Sequence, residues 1–288
     1  MLKFCLLRLV PAFLISAISC THVYFENPVP QEAKDLSAVP ANLSGLYEYM
    51  DEQADDDPVK SLFKHCLRFE PINESQMLVS WEERLHERDF PALKQNLEEK
   101  KAAGEVIEYS LTENFIICTS LVPANEGARR PQQQFVALSK EGPWYVVAQT
   151  RAPFFLFNFK SGTVSNYSVT KSEGLDNVLP DADSLSAEDA QLVARSKDGT
   201  YYFNSKKAED PGWSLISLRP QGSGGWLLKT SDVSSEKEFK ENLAHFNKIT
   251  PFEELSDSKY RVHPNDAELA RLMSEPELFH SVVLRKLE

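Results

Sequence analysis

Short apolar runs broken by turn residues recur through most of this chain, and that spacing limits it to a fold built largely of antiparallel strands. Cys66-Leu67-Arg68-Phe69 and Met77-Leu78-Val79-Ser80-Trp81 flank a turn at Pro71 to Ser75, which reads as a hairpin. Strands are expected again at Val106 to Leu111 and Asn114 to Leu121, the second nearly all apolar and therefore central. Two later stretches each read as a three-strand meander. One runs from Phe135 through Trp144 to Phe159 and the other from Tyr201 through Trp213 to Leu228. Both put a Trp at the start of the middle strand and a Pro in the turn that follows, which suggests a repeated meander, with chance similarity of hairpins as the alternative; Trp144 and Trp213 are expected in the core.

Helices are few. Pro91 opens a run of helix formers from Ala92 to Ala103 that Gly104 ends. Phe239, Leu243 and Phe246 recur at helical spacing behind the caps Ser234 and Ser235, and Pro264-Asn265-Asp266 leads into a short helix ending near Met273. Ser281 to Leu287 closes the chain as a strand. Neighbouring strands outnumber helices and no βαβ alternation occurs, so the expected class is α+β, mostly antiparallel β meanders with a few short helices.

The N-terminus has the layout of an export signal, with Lys3 and Arg8 before an apolar stretch from Leu9 to Ile15. That stretch is too short for a bilayer, which needs roughly 20 apolar residues. Ala17-Ile18-Ser19-Cys20 follows and resembles the lipobox of bacterial lipoproteins, although Ala17 stands where that family usually carries Leu. The resemblance covers only the first two dozen residues. It implies that Cys20 carries a diacylglyceryl thioether, becomes the mature N-terminus and anchors the chain in the membrane. Thr21, where the sorting rule would need Asp for inner-membrane retention, directs it to the outer membrane. The same small-x-small triplet also suits an ordinary signal peptidase. Residues 1–19 are therefore read as signal peptide and 20–44, with Pro28, Pro30 and Pro40, as a lipid-anchored tether. Residues 45–150 form an N-terminal β-rich module and 151–288 a C-terminal α+β module, unless the two are one continuous domain.

Charge excludes one class of partner. Removing Lys3 and Arg8 moves the formal charge from −12 to −14, and no basic cluster exceeds pairs such as Lys100-Lys101, so nucleic acid is not expected. Of the cysteines beyond Cys20, Cys66 and Cys118 either form a disulfide, which would close a loop of about 50 residues and stabilise by about 4 kcal/mol, or stay as two buried thiols.

Motifs of catalysis and cofactor binding do not occur: there is no nucleophile elbow, phosphate loop, His-Glu-x-x-His or Cys-x-x-Cys. Gly222-Ser223-Gly224-Gly225 reads as a hairpin turn, His86-Glu87-Arg88-Asp89 as surface charge, and the acidic run Asp51 to Asp57 as a solvated segment. His65 and Cys66, adjacent on a strand, point to opposite faces. No metal, cofactor or catalytic residue is expected. The leading reading is a non-catalytic envelope lipoprotein that binds a protein, a glycan or an apolar ligand. The alternative is an envelope hydrolase whose carboxylate or histidine site is assembled from distant positions.

Overall fold

The computed structural model describes residues 21–50, 62–123, 129–148, 154–169 and 185–287, apart from Ser223, Ser234, Asp257 and Glu277. In chain order the strands begin with β1 (His22–Phe25), β2 (Lys34–Asp35), β3 (Gly45–Met50), β4 (Phe63–Asn73) and β5 (Gln76–His86). Helix α1 (Phe90–Ala102) leads to β6 (Val106–Leu111), β7 (Phe115–Pro123), β8 (Arg129–Glu141) and β9 (Trp144–Ala148). Then come β10 (Phe154–Asn158), β11 (Thr163–Val169), β12 (Leu185–Lys197), β13 (Thr200–Lys206), β14 (Ser214–Gln221) and β15 (Gly225–Thr230). Helix α2 (Glu236–Phe246), β16 (Phe252–Ser256), β17 (Lys259–Val262), α3 (Asp266–Leu272) and β18 (Ser281–Lys286) complete the chain.

Ten of these strands form a closed antiparallel barrel in the order β5-β10-β11-β12-β13-β14-β15-β18-β3-β4, which corrects the α+β expectation to a mostly β fold. Closure depends on β5, whose residues 76–80 pair with β10 while residues 83–86 pair with β9. One strand thus serves two sheets: its first half shuts the barrel and its second half carries β9, β8, β7 and β6 away as a side sheet. The boundary expected near residue 150 does not separate the sheets, because β3 lies between β18 and β4.

The repeat does not hold. Residues 201–228 do form a meander, β13-β14-β15, but β9 and β10 pair with opposite halves of β5 rather than with each other. Trp144 and Trp213 are only half-buried, and Trp81 and Trp226 are the deeply buried tryptophans. Trp144 sits at the mouth of the β8-β9 hairpin and stacks edge-on against His86 at 4.8 Å.

Three cores follow from this layout. The strand alternation turns Tyr47, Leu67, Trp81, Phe203, Trp226 and Leu284 into the barrel, where they join one apolar cluster. On the side sheet, Leu93 and Leu97 of α1 cover Ile116, Cys118 and Leu138. Outside the barrel wall, α2, α3, β1 and β17 pack on Leu215 and the half-buried Tyr202. The helices start and stop as the sequence dictates. Gly104, at φ +72°, follows α1, Ser235 accepts from the Glu238 amide at α2, and Asn265 with Glu268 forms a capping box at α3.

The stretch expected as a tether is part of the fold. Its apolar residues are matched to partners elsewhere in the chain: Val23, Phe25 and Val29 are buried in the outer core, and β1 pairs in parallel with β17. From there the segment runs down the barrel wall. Arg195 holds it through Asp35 and the carbonyls of Pro28 and Pro30, and Lys197 and the Gln31 amide meet at Asp266. It then crosses one end of the barrel, where Leu36, Val39 and Leu43 pack into the interior cluster and the Val39 amide donates to the Glu74 carbonyl. Residues 21–44 are therefore a strap that closes the barrel at its β4-β5 and β12-β13 turns.

Candidate binding interior of the barrel

The opposite end of the barrel is where β3, β5, β11 and β15 finish, and the first described residues lie beside it. The Thr21 carbonyl accepts from the Val233 amide, and His22 Nδ1 donates to the Asp232 carboxylate (2.7 Å), whose backbone carbonyl accepts from the His280 amide. Residues 51–61, 149–153 and 170–184 lie outside the described residues.

Just inside this end the apolar stripe becomes polar. One face of β5 reads Met77, Val79, Trp81, Glu83, Leu85; the first three belong to the barrel cluster and Leu85 to the core under α1, so a carboxylate sits between two apolar clusters. Glu83 pairs across to His65 of β4, with 3.6 Å between Oε1 and Nδ1, and its side chain is 4% exposed. Tyr49, two residues on from the inward Tyr47 of β3, bonds through its hydroxyl to Nε2 of His280 at 3.0 Å. The Trp81 ring lies between them, 5.0 Å from Tyr49 and 6.1 Å from His65.

Deeper, three hydrogen-bond donors are buried without a protein partner: the Tyr47 hydroxyl and the indole N–H groups of Trp81 and Trp226. The strand order spreads them round half of the barrel, Trp81 on β5, Tyr47 two strands away on β3 and Trp226 four strands away on β15. Tyr47 and Trp81 flank Leu67 of β4 from either side, and Trp226 flanks Leu284 of β18, which faces Tyr49. Two strands from β5 in the other direction, Asn166 of β11, on the same face as the buried Val164, has an amide oxygen without a partner. Each such group costs roughly 1–3 kcal/mol when shielded from water.

The outer face of the same strands is ionic. Glu82 accepts from Arg68 and Arg84, Arg84 also reaches Glu141 at 2.5 Å, and Glu48 accepts from Lys64 at 2.5 Å. Burial pushes Glu82 upward, but the hydrogen bonds from Arg68 and Arg84 outweigh it and hold the carboxyl below its usual range. Beneath this layer Cys66 is fully buried, and burial raises its thiol to about 12.

Cys66 and Cys118 are free thiols. Four strand spacings of about 4.8 Å lie between β4 and β7, and the two side chains leave opposite faces, beyond the roughly 7 Å that a disulfide spans between Cα atoms. Burial raises Cys118 as well, against a smaller pull from Lys100, so neither thiol is a ready nucleophile. His65 and Cys66 do point to opposite faces. His86 caps a turn by accepting from the Arg88 amide, and Gly225 lets β15 approach β18 where a Cβ would lie 2.4 Å from the Leu284 carbonyl oxygen. Among the described residues no group of three His, Cys, Asp or Glu could hold a metal, and no helix is long and apolar enough to cross a membrane. Cys20 and the acidic run Asp51 to Asp57 lie outside the described residues.

Sequence reading singled out none of Tyr47, Tyr49, Glu83, Trp226 or His280. Only Glu83 left a trace, as the charge inside an apolar alternation; the others meet through strand pairings across the length of the chain. No family model, curated protein or solved structure matches this chain.

Proposed function

We propose that the chain is a non-catalytic binding module of the cell envelope, held at the outer membrane by lipid on Cys20, and that it takes an apolar ligand into the barrel. The observation that carries this reading is the closed ten-strand barrel with an aromatic-rich apolar interior, shut at one end by the strap. Eight strands already enclose enough room for side chains or one small ligand, and diameter grows with strand number. A lipid on Cys20 would leave almost no slack, because Thr21 is already buried in the fold. The end of the barrel bearing His280 and Tyr49 would then stand at the bilayer, so a ligand could pass between membrane and interior without crossing water.

The test uses the full chain held in amphipol and titrated with the fluorescent hydrocarbon diphenylhexatriene. Saturable binding at one site per chain, with energy transfer from tryptophan, is expected; the absence of saturable binding would end the proposal. Separately, Cys20→Ser should move the protein out of the membrane fraction or leave it unprocessed. The second reading, an envelope hydrolase, draws on the His65–Glu83 pair as base and acid. Turnover of an ester that is lost in Glu83→Gln would place it first.

A further inference from the structure

We infer that Ser214, His22 and Asp232 form an acyl-transfer triad at the rim of the barrel, with Ser214 as nucleophile and a neutral carboxylic ester as substrate. The reaction class rests on the second reading above, the hydrolase, and the site moves from His65 and Glu83 to the rim. The barrel can hold an apolar ligand in either case, so a working triad makes the chain a binding barrel that is also an enzyme. His22 Nδ1 lies 2.7 Å from the Asp232 carboxylate, and Nε2 lies 3.0 Å from the Ser214 hydroxyl. A carboxylate only accepts, so the proton of the neutral ring sits on Nδ1 and leaves Nε2 as a base facing the serine. His22 reaches these partners across 210 and 192 residues, which is why no local motif announces them.

The backbone holds the three in place. The His22 amide donates to the Ser258 carbonyl, the Val23 amide to the Ser231 carbonyl, and Ser214 opens β14. Thr230 Oγ1 donates to the second Asp232 carboxylate oxygen at 3.3 Å. A further hydroxyl, that of Ser231, lies 3.3 Å from Nε2, but it accepts from the Leu215 amide and is 2% exposed. Ser214 is nearer and only half-buried, and the side chains of His22 and Asp232 are 13% and 23% exposed, so solvent reaches the triad. In the first step Ser214 Oγ bonds to the acyl carbon while its proton passes to Nε2. The imidazolium, steadied by Asp232, returns that proton to the leaving alkoxide and the alcohol departs. Water then attacks the acyl-serine with the same nitrogen as base, which releases the carboxylic acid and restores Ser214. The surroundings select a neutral ester. Burial and then the charges of Asp210 and Asp232 raise the hydroxyl of Tyr24, whose ring centre is 4.3 Å from that of His22, and the same two carboxylates repel an anionic substrate.

The full chain in amphipol is assayed with para-nitrophenyl butyrate, and separately treated with a fluorophosphonate whose adduct is located by peptide mass spectrometry. Turnover is expected, with the adduct on Ser214. Ser214→Ala and His22→Gln should each lower kcat/KM by about a hundredfold or more and abolish the adduct. Asp232 acts through His22 as a positioning residue, so Asp232→Asn should fall about as far and Asp232→Glu should recover part of the loss. A parallel melt checks folding; Ser214→Ala removes a single half-buried hydroxyl, so it decides the matter even where a His22 or Asp232 variant unfolds. Turnover that survives Ser214→Ala, or an adduct on another residue, would overturn the triad and leave the hydrolase reading with His65 and Glu83. No turnover and no adduct in the parent chain would remove the triad and the hydrolase reading together.

Discussion

The barrel interior and the core packed against its outer wall are both apolar and rich in aromatics, yet they treat polar atoms differently. In the outer core, Phe239 packs against Phe246, Phe252 and Tyr260 with ring centres 4.8–5.8 Å apart. The polar groups that border it are mostly tied down: Asn204 to Val29 and Val193, Ser231 to the Leu215 amide, and Lys229 to the Met273 and Glu275 carbonyls, with the Thr21 hydroxyl as an exception. In the barrel, Tyr47, Trp81 and Trp226 leave their polar atoms unpaired. The first is a finished structural core, whereas the second carries hydrogen-bonding capacity that the chain itself does not use.

That contrast predicts a graded response to mutation. Phe239→Ala should cost about 4 kcal/mol, because a fully buried ring is lost from the centre of a close-packed cluster. Urea unfolding measures it, and a loss below about 1 kcal/mol would mean that the outer core is loosely packed. Asn204→Ala should cost about 3 kcal/mol by stranding the Val29 amide and two carbonyls in a dry interface. The half-buried Trp144 should be far less sensitive, with Trp144→Ala near 1 kcal/mol against about 4 kcal/mol for Trp226→Ala; equal values would undo the ranking.

Tyr47→Phe belongs at the small end: without ligand it should leave stability unchanged or raise it, because it deletes a hydroxyl that has no protein partner. A marked loss would show that the hydroxyl is satisfied after all and would erase the difference between the two regions. The ionic outer face gives a separate pH signature. Glu82 titrates below its ordinary range when folded, so its stabilisation is present at neutral pH and fades as pH falls from about 4.3 through the lower folded value. Glu82→Gln should therefore lower stability at pH 7 and flatten the acid limb of the stability curve; an unchanged limb would exclude Glu82 as its source. Finally, Cys66 and Cys118 should resist thiol reagents until the chain unfolds, since burial keeps both protonated.

The strap illustrates where local reading stops. Its prolines suggested an extended tether, and extended it is, but His22-Val23-Tyr24-Phe25 finds an edge at β17 more than 230 residues away, and Leu36, Val39 and Leu43 find the barrel mouth. Nothing within 20–44 marks those partners. Trp144 and Trp213 misled for a related reason: both begin apolar runs, but depth is set by where a strand sits in the closed sheet, and the wall positions fell to Trp81 and Trp226.

What the sequence determined by itself was local. Period-two runs and turn residues located most of the strands from Phe63 onward, and caps and helical spacing located α1, α2 and α3, because those patterns depend on neighbours within a few residues. The tertiary structure alone decided that ten strands close on themselves. Closure rests on the pairings β5 with β10 and β3 with β18, the latter joining Met50 to Val283, and edges so far apart in sequence meet only once the strands between them have curved. The barrel interior is a product of that closure: alternation assigned each side chain a face, but only the closed barrel brought those faces together.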